Sequence, residues 1–158
     1  MLSNVDLTGT GYCASFNFRR TSRAVTKLFD RAFEGTGIRS TQFTILVGVA
    51  KTQPVSMGAL ADLLALDATT LTRSLRPLQK DGLLAVSERA AMRQRFINLT
   101  RKGERTLARA VPQWREVQGN FEAAIGSERW TEFRDELERL AGVASRLEEP
   151  ALQDAMSR

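Results

Sequence analysis

The sequence contains no histidine and a single cysteine. Without imidazole, Ser-His and Cys-His catalysis are excluded, as are the common histidine-bearing metal sites. One cysteine cannot form a disulfide within the chain, which fits a reducing compartment. No paired carboxylates and no glycine-rich phosphate loop stand out among the remaining residues. An enzyme is therefore not expected, nor a metal or cofactor. The longest apolar run, Ile45–Ala50, is far too short to span a bilayer. No basic segment followed by an apolar stretch opens the chain, so no secretory signal is read there. The expected location is cytoplasmic, with no membrane partner.

What is present is a basic chain of one-domain size. Its 158 residues are 42% apolar, enough to build a core, and carry a formal charge of +5. A positive balance favours an anionic partner such as nucleic acid, although charge alone does not distinguish one.

Residues 1–11 are polar, contain two glycines and read as an arm. Tyr12–Phe33 is predicted as a helix, with Phe18, Val25, Phe29 and Phe33 on one face and a glycine-bearing stop at Glu34–Gly37. Ser40–Lys51 follows, apolar almost all round and so central, with Ser40 as its cap. After a break, Ser56 caps a short third helix. Asp67 caps a fourth, which stops at Gly82. Leu83–Glu88 and Arg95–Thr100 then switch to the strand period and predict a hairpin around a basic loop.

From Arg101 the pattern is helical again. Leu107, Val111, Trp114, Val117 and Phe121 recur at spacings of three and four. Beyond a break at Ile125–Ser127, Trp130, Phe133, Leu137, Leu140, Ala144 and Leu147 form a heptad-like stripe.

The fourth helix is the most informative. Leu75 and Leu78 each lie within about 40° of Leu71 on a helical wheel. Thr69, Arg73, Arg76 and Lys80 lie opposite, with Thr72 at the edge and Thr70 on the other flank. Arginine can bond guanine O6 and N7, and threonine can bond phosphate or touch a thymine methyl. The plain alternative is a solvated basic face. The short helix ahead of it, carrying Leu60, Ala61 and Leu64, has helix-turn-helix spacing, and the hairpin that follows would be a wing bearing Arg89, Arg93 and Arg95. Pro77 is discordant: it either kinks this helix or ends it early.

These residues resemble the MarR family of bacterial transcriptional regulators. The likeness is carried by Gly37–Leu46 (GIRSTQFTIL), Leu60–Leu84 (LADLLALDATTLTRSLRPLQKDGLL) and Ile97–Gly103 (INLTRKG), and extends over about residues 12–147. It implies a mainly α fold with a small β-hairpin: a winged helix-turn-helix DNA-binding lobe plus a helical dimerisation region from both chain ends. The expected boundaries are an arm at 1–11, dimerisation helices at 12–36 and 101–150, the winged region at 37–100 and a tail at 151–158.

The implied function is that of a homodimeric, sequence-specific regulator of double-stranded DNA, binding a near-palindromic operator. It would be a repressor released by a small aromatic or lipophilic effector. The DNA-binding residues are then Thr69, Thr70, Thr72, Arg73, Arg76, Arg93 and Arg95. Phe16, Arg20 and Phe43, with Phe18, are of types that could line an effector pocket or simply fill a core. The wing departs from the family pattern. AAMRQR has no acidic residue where the family carries an aspartate, so the brace on Arg93 is missing and Arg95 is the candidate substitute. Cys13 is either incidental or a redox sensor; the cysteine that senses peroxide in some relatives aligns with Ser15 instead. The alternatives to effector control are redox sensing through Cys13, or a protein-interaction dimer that has lost DNA binding.

Overall fold

The structure, a computed structural model, describes residues 5–89 and 94–156, except the side chains of 88, 89 and 148–156. The helices are α1 (Ala14–Ala32), α2 (Ser40–Thr52), α3 (Met57–Leu63), α4 (Ala68–Lys80), α5 (Arg101–Ile125) and α6 (Ser127–Met156). The strands are β1 (Val55–Ser56), β2 (Leu84–Arg89) and β3 (Gln94–Leu99). The chain divides into two compact units, the first ending at Val117 and the second starting at Gln118.

The first unit is a winged helix with α1 and the start of α5 attached. Its core is built on Phe33, Leu46, Val49, Leu60, Leu71, Leu75, Leu78 and Ile97, all essentially inaccessible to solvent. The predicted leucine stripe of α4 is thus the buried face of that helix. The burial of these three leucines supplies on the order of 2 kcal/mol each. α2 is as central as its composition requires, with Phe43, Ile45, Leu46 and Val49 buried.

Where the structure differs from the sequence reading, the causes are local. The sheet has three strands in the order β1-β3-β2, not two. The Val55–Ser56 segment pairs antiparallel with Ile97 and Phe96, too short a strand to show any periodicity. α1 begins at Ala14 rather than Tyr12, because Thr10–Tyr12 form a separate turn of 3-10 helix.

Ser40 is not the cap of α2 but its first residue. Its N–H and hydroxyl both donate to Asp30 on α1, while the Arg39 N–H donates to the Gln42 side chain at 2.9 Å. Pro77 does not end α4, which continues to Lys80. Pro77 lies on the exposed side of the helix, and the Arg73 carbonyl loses its backbone partner there.

The second unit contains the end of α5 and all of α6. Phe121 packs edge-on to Trp130 with centroids 5.5 Å apart, and Trp130 lies 6.3 Å from Phe133. Among the described residues no helix is long and apolar enough to cross a membrane.

Candidate nucleic-acid interface

α4 is presented by three local devices. The first is its cap. Asp67 accepts the Thr70 backbone N–H at 2.8 Å and the Thr70 hydroxyl at 2.5 Å. Those bonds, the hydroxyl's first, hold the Asp67 carboxyl below the usual carboxylate range. The second is the turn from α3, in which Ala65 takes a left-handed conformation at φ 49° and the Leu66 N–H reaches back to the Ala61 carbonyl at 2.9 Å.

The third device is the seat of the wing. Thr100 donates to the Gly82 carbonyl at 2.6 Å and accepts the Gly103 N–H at 3.0 Å, while Lys102 Nζ donates to the Asp81 carbonyl at 2.7 Å. Gly103 is required there, because a Cβ would overlap the carbonyl oxygen of Leu83. The INLTRKG stretch therefore fastens β3 and α5 to the end of α4.

The outward face of α4 is the one anticipated. Thr69, Arg73, Arg76 and Lys80 are exposed, and Thr72 is half-buried beside them. Ala68, Thr69, Thr72, Arg73 and Arg76 together line a shallow concavity. Neither arginine is ion-paired or side-chain hydrogen-bonded to a described residue, and the Thr69 hydroxyl is likewise uncommitted. Thr72 donates to the Ala68 carbonyl at 2.7 Å, and its hydroxyl oxygen can still accept a hydrogen bond. Thr70 is different from the rest. It is half-buried and its hydroxyl serves the Asp67 cap, a role its position three residues after an aspartate foreshadowed. On the wing, Arg95 is exposed in β3 opposite Glu88, whereas Arg93 lies outside the described residues.

A second feature of this unit is a cavity of about 600 Å³ between α1, α2 and α5. Val25, Phe29, Phe33, Phe43, Val47 and Trp114 supply apolar walls, and Lys51 and Arg115 supply the cations. Phe43 is at the centre of its aromatic side, 4.9 Å from Phe33 and 6.1 Å from Trp114 between ring centroids. Of the residues anticipated for such a pocket only Phe43 lines it. Phe16, Phe18 and Arg20 are exposed on the N-terminal half of α1. The missed lining residues come from three separated helices, and only the fold brings them together.

Cys13 sits ahead of α1 rather than within it. Its thiol is free and exposed, and its carbonyl accepts the Asn17 side-chain amide at 2.9 Å. No group of three or more acidic or cysteine side chains among the described residues could hold a metal.

An exposed hydroxyl-guanidinium helix, braced by a helix-turn-helix and followed by a three-stranded wing, defines a winged-helix DNA-binding transcriptional regulator. The family model for the MarR family matches residues 38–90. The solved transcriptional regulator MosR of M. tuberculosis, in complex with DNA, is 35% identical over 84% of this chain and 96% of that one, with a TM-score of 0.78. A second MosR structure gives 33% identity over 84% and 96%, with a TM-score of 0.73. The PcaV regulator of Streptomyces coelicolor, solved with its natural ligand, shares the fold at 21% identity over 89% and 97%, with a TM-score of 0.75. No curated protein sequence matches the chain significantly. The chain belongs to the MarR family.

Proposed function

We propose that the protein is a homodimeric repressor that reads a near-palindromic operator and is released by a small aromatic or lipophilic anion. The observation that carries the reading is the open face of α4. Arg73 and Arg76 have no ionic partner among the described residues, and burying the opposite face fixes their direction. In this reading Thr69, Thr72, Arg73 and Arg76 face base edges and phosphates, Thr70 orders the helix start, and Arg93 and Arg95 meet the backbone or minor groove from the wing.

Dimerisation is assigned to α1, α5 and α6. Within one chain α1 buries no residue fully, and Phe16 and Phe18 remain 54% and 46% exposed. On α6, Phe133 and Leu147 are 45% and 72% exposed. Exposed apolar side chains on two helices favour a second copy as their cover.

The effector site is assigned to the cavity lined by Phe43 and Trp114. Its apolar walls suit an aromatic ring, and Lys51 and Arg115 suit a carboxylate. Two regulators of the same fold, PcaV and CouR, were solved with a natural ligand and with p-coumaroyl-CoA, and CouR is a transcriptional repressor. Release follows if the effector binds more tightly to the dimer whose reading helices are wrongly spaced. Redox control through the exposed Cys13 and loss of DNA binding are the competing readings.

The test is equilibrium binding to a duplex selected from a random pool, with sedimentation of the free and bound protein. A dimer on one duplex, weakened by aromatic carboxylates, supports the reading. A monomer, or a complex indifferent to every such compound, contradicts the corresponding part.

A further inference from the structure

α1 carries charge that the reading face does not use. Arg19, Arg20, Arg23, Lys27 and Arg31 are all exposed and fall within about 120° of one another on the wheel. The sole carboxylate on this helix is Asp30, whose Oδ1 is occupied by Ser40. Arg19, Arg23, Lys27 and Arg31 are spaced four residues apart, about 6 Å per step along the axis. Like charges at that spacing repel, so the row is unfavourable without an anion to offset it.

Three of these cations, Arg23, Lys27 and Arg31, join Arg39 in lining a groove of about 820 Å³. None of the four makes an ion pair or a side-chain hydrogen bond with a described residue. Asp30, Glu34 and Asp81 are the carboxylates on its wall, and the Arg39 charge acts on Asp30, so the groove's cations outnumber its carboxylates by one. Asp81 is also the residue that closes α4, directly after Lys80. The groove along α1 therefore abuts the C-terminal end of the reading helix.

We infer that this groove is a second, sequence-independent surface for the DNA backbone, gripping phosphates that flank the base pairs read by α4. The inference rests on the DNA-binding reading of α4. Its role is affinity and position rather than base choice, because phosphates carry no sequence information.

The experiment is a salt titration of binding by the full chain, comparing wild type with the Arg23→Gln/Lys27→Gln/Arg31→Gln variant. Each is measured on a selected duplex and on a shuffled one. The substituted side chains are exposed and mutually repulsive, so thermal melting is expected to match or slightly exceed wild type and serves as the control for folding. The slope of log K against log salt is expected to fall in magnitude by about 0.9 for each phosphate no longer neutralised, roughly 2 or more in all. The ratio of selected to shuffled affinity is expected to stay as in wild type.

An unchanged slope on both duplexes overturns the inference. So does loss of tripolyphosphate binding with an unchanged DNA slope, which would assign the groove to a small polyphosphate. A wild-type protein with no preference between duplexes would instead defeat the reading of α4. The slope comparison on the shuffled duplex would still decide the groove.

Discussion

The carboxylate of Asp30 on α1 accepts both the backbone N–H and the hydroxyl of Ser40, each at 2.7 Å, and so ties α1 to the first turn of α2. The Ser40 N–H, then its hydroxyl, hold the Asp30 carboxyl below the usual carboxylate range against the opposing pull of burial. Asp30→Ala is expected to lower stability by about 1 kcal/mol, as for loss of a helix cap, the partial exposure of the pair keeping the cost modest. Chemical denaturation checks this, and an unchanged midpoint would remove the link from the account.

The same depression sets the acid limit. Asp30 and Asp67 both have folded pKa values below the unfolded one, so their contribution is complete above the unfolded value, about 3.9, and is lost as pH falls through the folded value. With no histidine in the chain, no imidazole titrates between pH 5 and 8. Melting temperature should be flat across that range and fall below about pH 4. A clear step near pH 6.5 would contradict this.

Gly103 admits no side chain where α5 meets the end of α4. Gly103→Ala is expected to cost about 1–3 kcal/mol through overpacking against the Leu83 carbonyl, despite alanine's better helix propensity. Ala65 presents the opposite case. Its φ of 49° strains an L-residue, so Ala65→Gly should be neutral to stabilising, by up to about 1 kcal/mol. Melts of the two variants shifting in the same direction would overturn the pair of assignments.

In the proposed function Arg73 and Arg76 are the residues assigned to base reading. Arg73→Ala is expected to cost about 1–3 kcal/mol in DNA binding and to relax the preference at its base pair. Selection of preferred sites by wild type and variant reads this directly; identical preferred sequences would take Arg73 off the base-reading face.

The cavity makes its own prediction. Aromatic carboxylates entering beside Trp114 should change its fluorescence, and Lys51→Gln should weaken carboxylates more than the matching neutral amides. Equal weakening of both would show that Lys51 does not meet the charge.

Helix α4 is legible in the sequence because its information is local: three leucines at helical spacing, an aspartate in front and hydroxyls and arginines between. The wing is half legible. Its two long strands alternate, but β1 has only two residues and exists through pairing with Ile97 and Phe96 some forty positions away. The cavity between α1, α2 and α5 is the least legible, since Val25, Phe43 and Trp114 converge only after folding. The Asp30–Ser40 link is hidden for the same reason: serine before an apolar run reads as a cap, and nothing local shows a carboxylate arriving from the preceding helix.

The most direct test of the central claim is fluorescence anisotropy with DNA from immediately upstream of the gene, against a shuffled duplex of equal length, at near-physiological salt. The account predicts a preference on the order of a thousandfold for one of the sequences recovered there or by random selection, lost on joint substitution of Arg73 and Arg76. Equal, weak binding to every duplex would contradict it and leave a winged-helix protein that does not read DNA.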